Sequence, residues 1–202
     1  VDNHSHRGPD NTNTIHHKNT SFTFHRLCIN DLSNNGNQPF EDDNCIWMCN
    51  GEIYNYKDLK QTYQLSCNSS SDCEVISQVY NTLGINSLCN KLDGVFAIAL
   101  YDKNYDCIYL IRDPIGVRPI YYYNDDDTFA FASEGKQLKF VNNPETVKQL
   151  PSSTYLCYNI STKKIIMNTY FNCMNIPRVD IKMSTCTERI HDLFVNSVKK
   201  RL

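Results

Sequence analysis

The sequence has no apolar run long enough to cross a bilayer, no bias of charge and no internal repeat. A membrane-spanning helix needs about 20 consecutive apolar residues, so no membrane partner is expected. A net charge of −2 gives nucleic acid or an anionic surface nothing to be steered by. No charged-then-apolar leader opens the chain, and no initiating methionine does either; a leader lost with a missing start stays open. Ten cysteines are present, but they form neither the paired framework of a small secreted protein nor a tight metal quartet. Cys45 and Cys49 have no second pair or histidine partner behind them. Reduced thiols in a cytoplasmic enzyme are therefore expected, with no metal site. Asn-X-Ser/Thr occurs at Asn3, Asn19, Asn68 and Asn159, as chance produces in an Asn-rich chain, and is not read as glycosylation.

What is present is enough for one good core. At 202 residues the chain fits one domain plus a stub. Val95–Tyr101 and Cys107–Ile111 are near-continuous apolar runs, expected as adjacent antiparallel strands buried on both faces and joined by a turn over 102–106. Ile120–Tyr123 and Thr128–Ser133 read as a second hairpin, with a solvated acidic turn between them. The stretch 10–20, with His16 and His17 in tandem, reads as a loop or exposed strand, and 30–43 as a loop. Helices are expected over 54–61, over 71–83 ending at Gly84 as a C-cap, and over 184–202. In the last, Ile190, Phe194 and Val198 recur at spacing four beside Leu193, with a basic end at Lys199–Arg201. Arg112 beside Asp113 reads as a structural pair.

The run Asn50-Gly51-Glu52-Ile53-Tyr54-Asn55 follows the apolar stretch 46–49, where a buried strand is expected to break into a turn. Asn-Gly is the commonest hairpin turn signal. It is also a pair of neutral donors, an amide and an unhindered N–H, of the kind that holds the oxyanion of an acyl-transfer intermediate. Arg26 ends an alternating apolar stretch, and Asp72 starts a helix capped by Ser71. An arginine for an α-carboxylate, taken as a bidentate fork, an aspartate for an α-ammonium and a donor pair for a side-chain carbonyl together suit an amino acid. A surface charge at Arg26 and a cap residue at Asp72 are the plainer alternatives.

The runs His6-Arg7-Gly8-Pro9-Asp10, His25-Arg26-Leu27, Asn50–Tyr56, Ser71–Ile76, Leu92–Ala97, Arg112–Pro119 and Ala132-Ser133-Glu134 with Lys136 resemble, in order and over residues 4–158, the class II glutamine amidotransferase domain of glutamine-hydrolysing asparagine synthetase. The resemblance implies an α+β, four-layer αββα sandwich of two antiparallel sheets, of the N-terminal-nucleophile hydrolase type. It implies glutamine as substrate, with Arg26 on its carboxylate, Asp72 and Glu52 at its ammonium, and the Asn50 side chain with the Gly51 N–H as oxyanion hole. His6 and Arg7 are implied in a mobile cap, and Glu134 and Lys136 at an interface or ammonia channel. The family turn after Leu150 carries a glycine where this chain has Ser152-Ser153, which puts its left-handed geometry in doubt.

The family nucleophile is an N-terminal cysteine whose own α-amine, with a pKa near 8, acts as base. The chain opens Val1-Asp2-Asn3 instead, so it is expected to lack the first strand and to be inactive alone. None of the ten cysteines substitutes; Cys28, Cys73 and Cys107 are expected as small core residues. Residues 1–175 are assigned to the amidotransferase domain and 176–202 to a linker and first helix of a synthetase domain in cis. No cofactor is expected in this chain; ATP and Mg belong to that further domain, as the Ser-Gly-Gly-Leu-Asp-Ser loop does not occur here. A homodimer stays open. So do two other readings: a degenerate amino-acid-binding or scaffolding module, and the glutaminase domain of another amidotransferase.

Overall fold

The computed structural model describes residues 6–172 and 177–201. The chain forms two compact units, Val1–Phe171 and Asn172–Leu202. In the second, helix α3 (Met183–Lys199) presents Ile190, Leu193, Phe194 and Val198, all exposed.

The first unit is built on a six-stranded antiparallel sheet in the order β11-β10-β6-β5-β4-β3. Its centre is β4 (Cys45–Ile53), β5 (Gly94–Asp102) and β6 (Cys107–Arg112), flanked by β10 (Thr154–Asn159) and β11 (Lys164–Thr169) on one side and the short β3 (Phe40–Glu41) on the other. The central strands read as unbroken apolar runs because both their faces are covered. Cys45, Trp47, Cys49, Ile53, Phe96, Ile98 and Leu100 pack toward α1 (Tyr56–Tyr63) and α2 (Val75–Lys91). The alternate residues Ile46, Met48, Ala97, Ala99 and Tyr101 pack against the second layer.

That second layer is in two pieces. One is the hairpin β1 (Asn11–His17) and β2 (Thr20–Arg26); the other is the sheet β8-β7-β9, of β7 (Tyr121–Asn124), β8 (Phe129–Ala132) and β9 (Lys148–Gln149). Phe22 of β2 and Phe131 of β8 approach to 6.1 Å between ring centres, but the two strands are not hydrogen-bonded. The architecture is the expected α+β sandwich of antiparallel layers. Among the described residues its fourth layer is slight, a 3-10 turn over Gly135–Leu138 whose Leu138 packs with Tyr123 and Val141.

Four expectations change in detail. The helix over 71–83 begins as a 3-10 turn at Asp72–Glu74, with the Ser71 hydroxyl accepting from the Cys73 N–H. It does end at Gly84, as expected: the backbone leaves the helix there (φ 77°, ψ 172°), which glycine tolerates, and a second helical segment runs from the kink to Lys91. The strand before Asn50 does not break at Asn50-Gly51: Asn50 pairs with Ala97 and Gly51 with Phe96, and β4 runs on to Ile53. Arg112 and Asp113 are structural without pairing. Arg112 donates to the carbonyls of Gly116, Arg118 and Leu150, while the Asp113 carboxylate accepts N–H groups from Ile115 to Arg118. The turn after Leu150 keeps its left-handed residue, with Ser153 (φ 57°) supplying it.

Candidate functional site

The site lies along the edge of β4 beyond the end of β3, which pairs only with Ile46 and Trp47. In an antiparallel ladder, alternate N–H groups point to opposite sides of a strand. On the side away from β5, β4 therefore presents the N–H groups of Cys49, Gly51 and Ile53. Cys49 N–H donates to Gln38 Oε1 at 2.7 Å, and Ile53 N–H to Asp72 Oδ2 at 2.6 Å. The Gly51 N–H between them carries no hydrogen bond among the described residues. A Cβ at position 51 would lie 2.0 Å from the Val95 carbonyl oxygen, so only glycine lets β4 and β5 close here.

Asn50 points to the opposite side from the helices, into a groove of about 810 Å³ between β2 and β8. Ser21, Thr23 and His25 form one wall, residues 128–133 the other, and Met48, Ala97 and Ala99 the floor. Both walls are outer strands of their sheets, with edges unpaired among the described residues. The Asn50 Nδ2 is buried without a hydrogen-bond partner, an arrangement that costs free energy unless a ligand or chain segment supplies an acceptor.

Arg26, at the end of β2, is 5 % exposed. Its guanidinium donates to Ser33 O (3.0 Å), Asn37 Oδ1 (2.7 Å), Asn30 O (3.0 Å) and, in a short contact, Asp31 O. Gly36 makes room for it: a Cβ there would sit 2.5 Å from Nη2. Four of the five N–H groups are thus taken by the loop 30–37, so a two-pronged grip on a carboxylate requires some of these contacts to give way. All four acceptors are neutral, and Arg26 forms no ion pair within 4.0 Å among the described residues. The Asp31 carboxylate feels the Arg26 charge, but its own oxygens are bound by Ser33 and Ser70, which hold it below the usual carboxylate range.

Asp72 is also 5 % exposed and, among the described residues, also without an ion pair. Its Oδ2 accepts from Ile53 N–H and, at 3.6 Å, from the Cys73 thiol; its Oδ1 accepts from Asn30 Nδ2 at 3.3 Å. Arg26 and Asp72 are therefore brought together, one residue apart through Asn30. Glu52 is half-buried on β4, on the same face as Asn50. Along β4, Asn50 and Ile53 are separated by about 10 Å at about 3.3 Å per residue. Glutamine reaches about 6 Å from α-nitrogen to amide oxygen through five bonds, and a hydrogen bond of about 2.9 Å at each end extends this to a similar span.

Asn30 and Gln38 gave no signal in the sequence beyond lying in an Asn-rich loop. Arg7, implied as part of a cap, is anchored: it pairs with Glu134 at 3.0 Å, as does Lys136. Lys136, with Arg7, holds Glu134 below the usual carboxylate range. Glu134 also closes a reciprocal side-chain cap with Gln137. The described cysteines are free thiols. Burial pushes Cys45, Cys89 and Cys107 up to about 12, and Cys73, hydrogen-bonded to Cys49 and wholly buried, is also held protonated. Cys28 alone of the three expected core thiols is half-exposed. Cys173 lies outside the described residues.

Comparison with known proteins shows the family to which the sandwich belongs. The model of the glutamine amidotransferase domain family matches residues 1–184, and the chain belongs to that family. Within it, the similarity runs to proteins named asparagine synthetase [glutamine-hydrolyzing]. The Bacillus subtilis asparagine synthetase 2 is 42 % identical over 137 residues, covering 66 % of this chain and 18 % of that protein. The probable enzyme of Acanthamoeba polyphaga mimivirus is 40 % identical over 146 residues (71 % and 26 %), and the Homo sapiens enzyme 32 % identical over 224 residues (98 % and 40 %). The chain spans less than half the length of each. The solved glutamine phosphoribosylpyrophosphate amidotransferase of B. subtilis superposes with a TM-score of 0.61 over 78 % of this chain and 36 % of its own, at 19 % identity, which supports the fold. No helix among the described residues is long and apolar enough to cross a membrane.

Proposed function

We propose that this domain hydrolyses glutamine and supplies the ammonia to a synthetase domain of the same polypeptide, which amidates aspartate at the expense of ATP with Mg. The observation that carries this is a pair of buried opposite charges, Arg26 and Asp72, neither of them ion-paired and only one residue apart. A buried charge met only by neutral groups favours a counter-ion. A zwitterionic α-amino acid brings both, its carboxylate for Arg26 and its ammonium for Asp72, with Glu52 adding negative charge nearby. The side-chain amide then runs along β4 toward Asn50 Nδ2 and Gly51 N–H. These two donors hold the oxyanion of the tetrahedral intermediate, where they count for more than in the ground state.

The thiol nucleophile arrives, in this reading, on an extended strand that fills the groove between β2 and β8 and pairs with both open edges. Its own α-amine takes the thiol proton and returns one to the leaving ammonia. None of the described cysteines lines that groove. Residues 176–202, with the apolar stripe of α3, are assigned to the start of the synthetase domain, where that stripe is buried.

The isosteric change Asp72→Asn in the full-length protein tests this. Glutamine-dependent asparagine formation is expected to fall at least 100-fold while ammonia-dependent formation stays within two-fold, a loss of the size that removing one partner of a buried charge pair brings, about 3–5 kcal/mol. Equal loss of both activities would assign Asp72 to folding and overturn the reading.

A further inference from the structure

The two buried charges are bridged by one exposed residue. Asn30 accepts from Arg26 Nη2 through its main-chain oxygen at 3.0 Å and donates from its side-chain Nδ2 to Asp72 Oδ1 at 3.3 Å. These are the two interactions the cradle offers an α-amino acid, with an oxygen on the arginine and a nitrogen on the aspartate. We propose that Asn30 is a placeholder for the substrate, occupying the ammonium position of the site until glutamine displaces it. This inference rests on the glutaminase reading of Arg26 and Asp72.

The hydrogen-bond pattern around Asp72 selects the oxygen that must change hands. Oδ2 already receives the Ile53 N–H and the Cys73 thiol, which uses both its lone pairs. Oδ1 receives Asn30 alone, so an incoming ammonium meets Asp72 at Oδ1. The contact there is long, 3.3 Å, and its donor is a neutral amide. An ammonium bonds a carboxylate at about 2.7–2.9 Å and about twice as strongly, so the exchange is favourable, but glutamine must first displace Asn30. The placeholder therefore raises KM without entering the chemical step.

The arrangement also explains how a buried, unpaired Asp72 is kept in order without ligand. The loop that carries Asn30 is latched a second time, by Ser70 N–H to Asp31 Oδ2 at 2.8 Å. Asp31 stands in a left-handed conformation (φ 55°) that turns the loop over the site. Removing the Asn30 side chain breaks only the Asp72 contact. Arg26 binds residue 30 through the main chain, and the Asp31 latch is independent.

Asn30→Ala in the full-length enzyme is the test. KM for glutamine is expected to fall about five-fold, the factor one hydrogen bond is worth, with the change confined to KM and absent from the KM for ammonia. An unchanged or raised KM would overturn the placeholder and make Asn30 an ordinary loop residue or a support for the site. Asp72→Asn, measured alongside, separates the two levels. If it leaves the KM for glutamine unaltered, the cradle reading falls and the placeholder with it. If it raises that KM while Asn30→Ala does not lower it, only the placeholder falls. Binding of an unreactive glutamine analogue by calorimetry reports the same five-fold gain without turnover.

Discussion

Asn50→Ala separates a functional donor from a structural one, because the two roles drive stability in opposite directions. If Asn50 were a core residue, its amide would be satisfied. Its Nδ2 is instead buried without a partner. Such a group costs about 1–3 kcal/mol relative to the same site without it. Truncation to alanine removes that cost and gives up little packing, since residue 50 faces the open groove and not the helix-side core. The chain of 202 residues should keep its melting temperature or gain about 2–4 °C, the shift that 1 kcal/mol gives at this size. The full-length enzyme should lose about 100- to 1,000-fold in glutamine-dependent kcat, the loss seen when one oxyanion donor is removed. Its KM for glutamine should move little, because the donor acts on the charge that develops in the transition state. Differential scanning calorimetry and a coupled ammonia-release assay measure the two quantities on the same substitution. A melting temperature lowered by more than about 4 °C, the shift of 1 kcal/mol, together with unaltered kcat would refute the reasoning.

Gly51→Ala should destabilise the fold by about 1–3 kcal/mol as an overpacked site, because the added methyl meets main-chain atoms of β5, the Val95 carbonyl oxygen and Phe96 Cα, which cannot rotate away; urea unfolding with an unchanged midpoint would contradict this. The Asp125 carboxylate accepts from Tyr123, Asp127 and Thr128, which hold its pKa down to about 2. A folded pKa below the unfolded one means stability that is present above about pH 4 and lost as pH falls toward 2, so Asp125→Asn should flatten the acid limb of the stability–pH curve; an identical limb in both proteins rules it out. Cys45, Cys89 and Cys107, with pKa values pushed up to about 12, should resist a disulfide reagent at pH 8 until the chain is unfolded, whereas the half-exposed Cys28 should react; mass spectrometry of the modified folded protein decides it.

Much of the layer order was legible because burial leaves a period in the sequence. Val95–Tyr101 and Cys107–Ile111 have no polar alternation, and both are strands covered on two faces. The two hairpins followed from their turns. Local signals misled where tertiary pairing overrode them. Asn50-Gly51 carries the strongest short hairpin signal in the chain, yet β5 pairs straight through it because Gly51 allows the backbones to close. Gly84, by contrast, was legible: one helical segment stops at its non-helical backbone and a second begins across the kink. At the site, Arg26, Asn50, Gly51 and Asp72 were readable as the polar residues at the ends of apolar runs. Asn30 was not, since nothing in a loop rich in asparagine distinguishes the amide that reaches a buried aspartate. Nor did the sequence tell that Arg26 would spend most of its donors on its own loop, because three of the four acceptors are main-chain carbonyls, which have no sequence signature.

The reading of a degenerate scaffold can be weighed by what the site costs. Arg26 and Asp72 are buried without ion partners, and Asn50 buries a donor that nothing meets. Each arrangement is unfavourable in the unliganded protein, and ordinary domains are stable by only about 5–15 kcal/mol in total. Substitutions that shed such groups are an easy source of stability, so a domain with no ligand to bind gains by losing them singly, in any order. Here all three occur together, Arg26 and Asp72 joined through Asn30, Asp72 bound to the Ile53 N–H of β4, and Asn50 on the same strand beside a groove whose two walls are outer strands. Unpaired edges invite aggregation unless something covers them. A bound zwitterion removes the first set of costs and an inserted strand removes the second. A scaffold that only packed against a partner would leave Arg26, Asp72 and Asn50 uncompensated, whereas the proposed glutamine-hydrolysing arrangement meets all three.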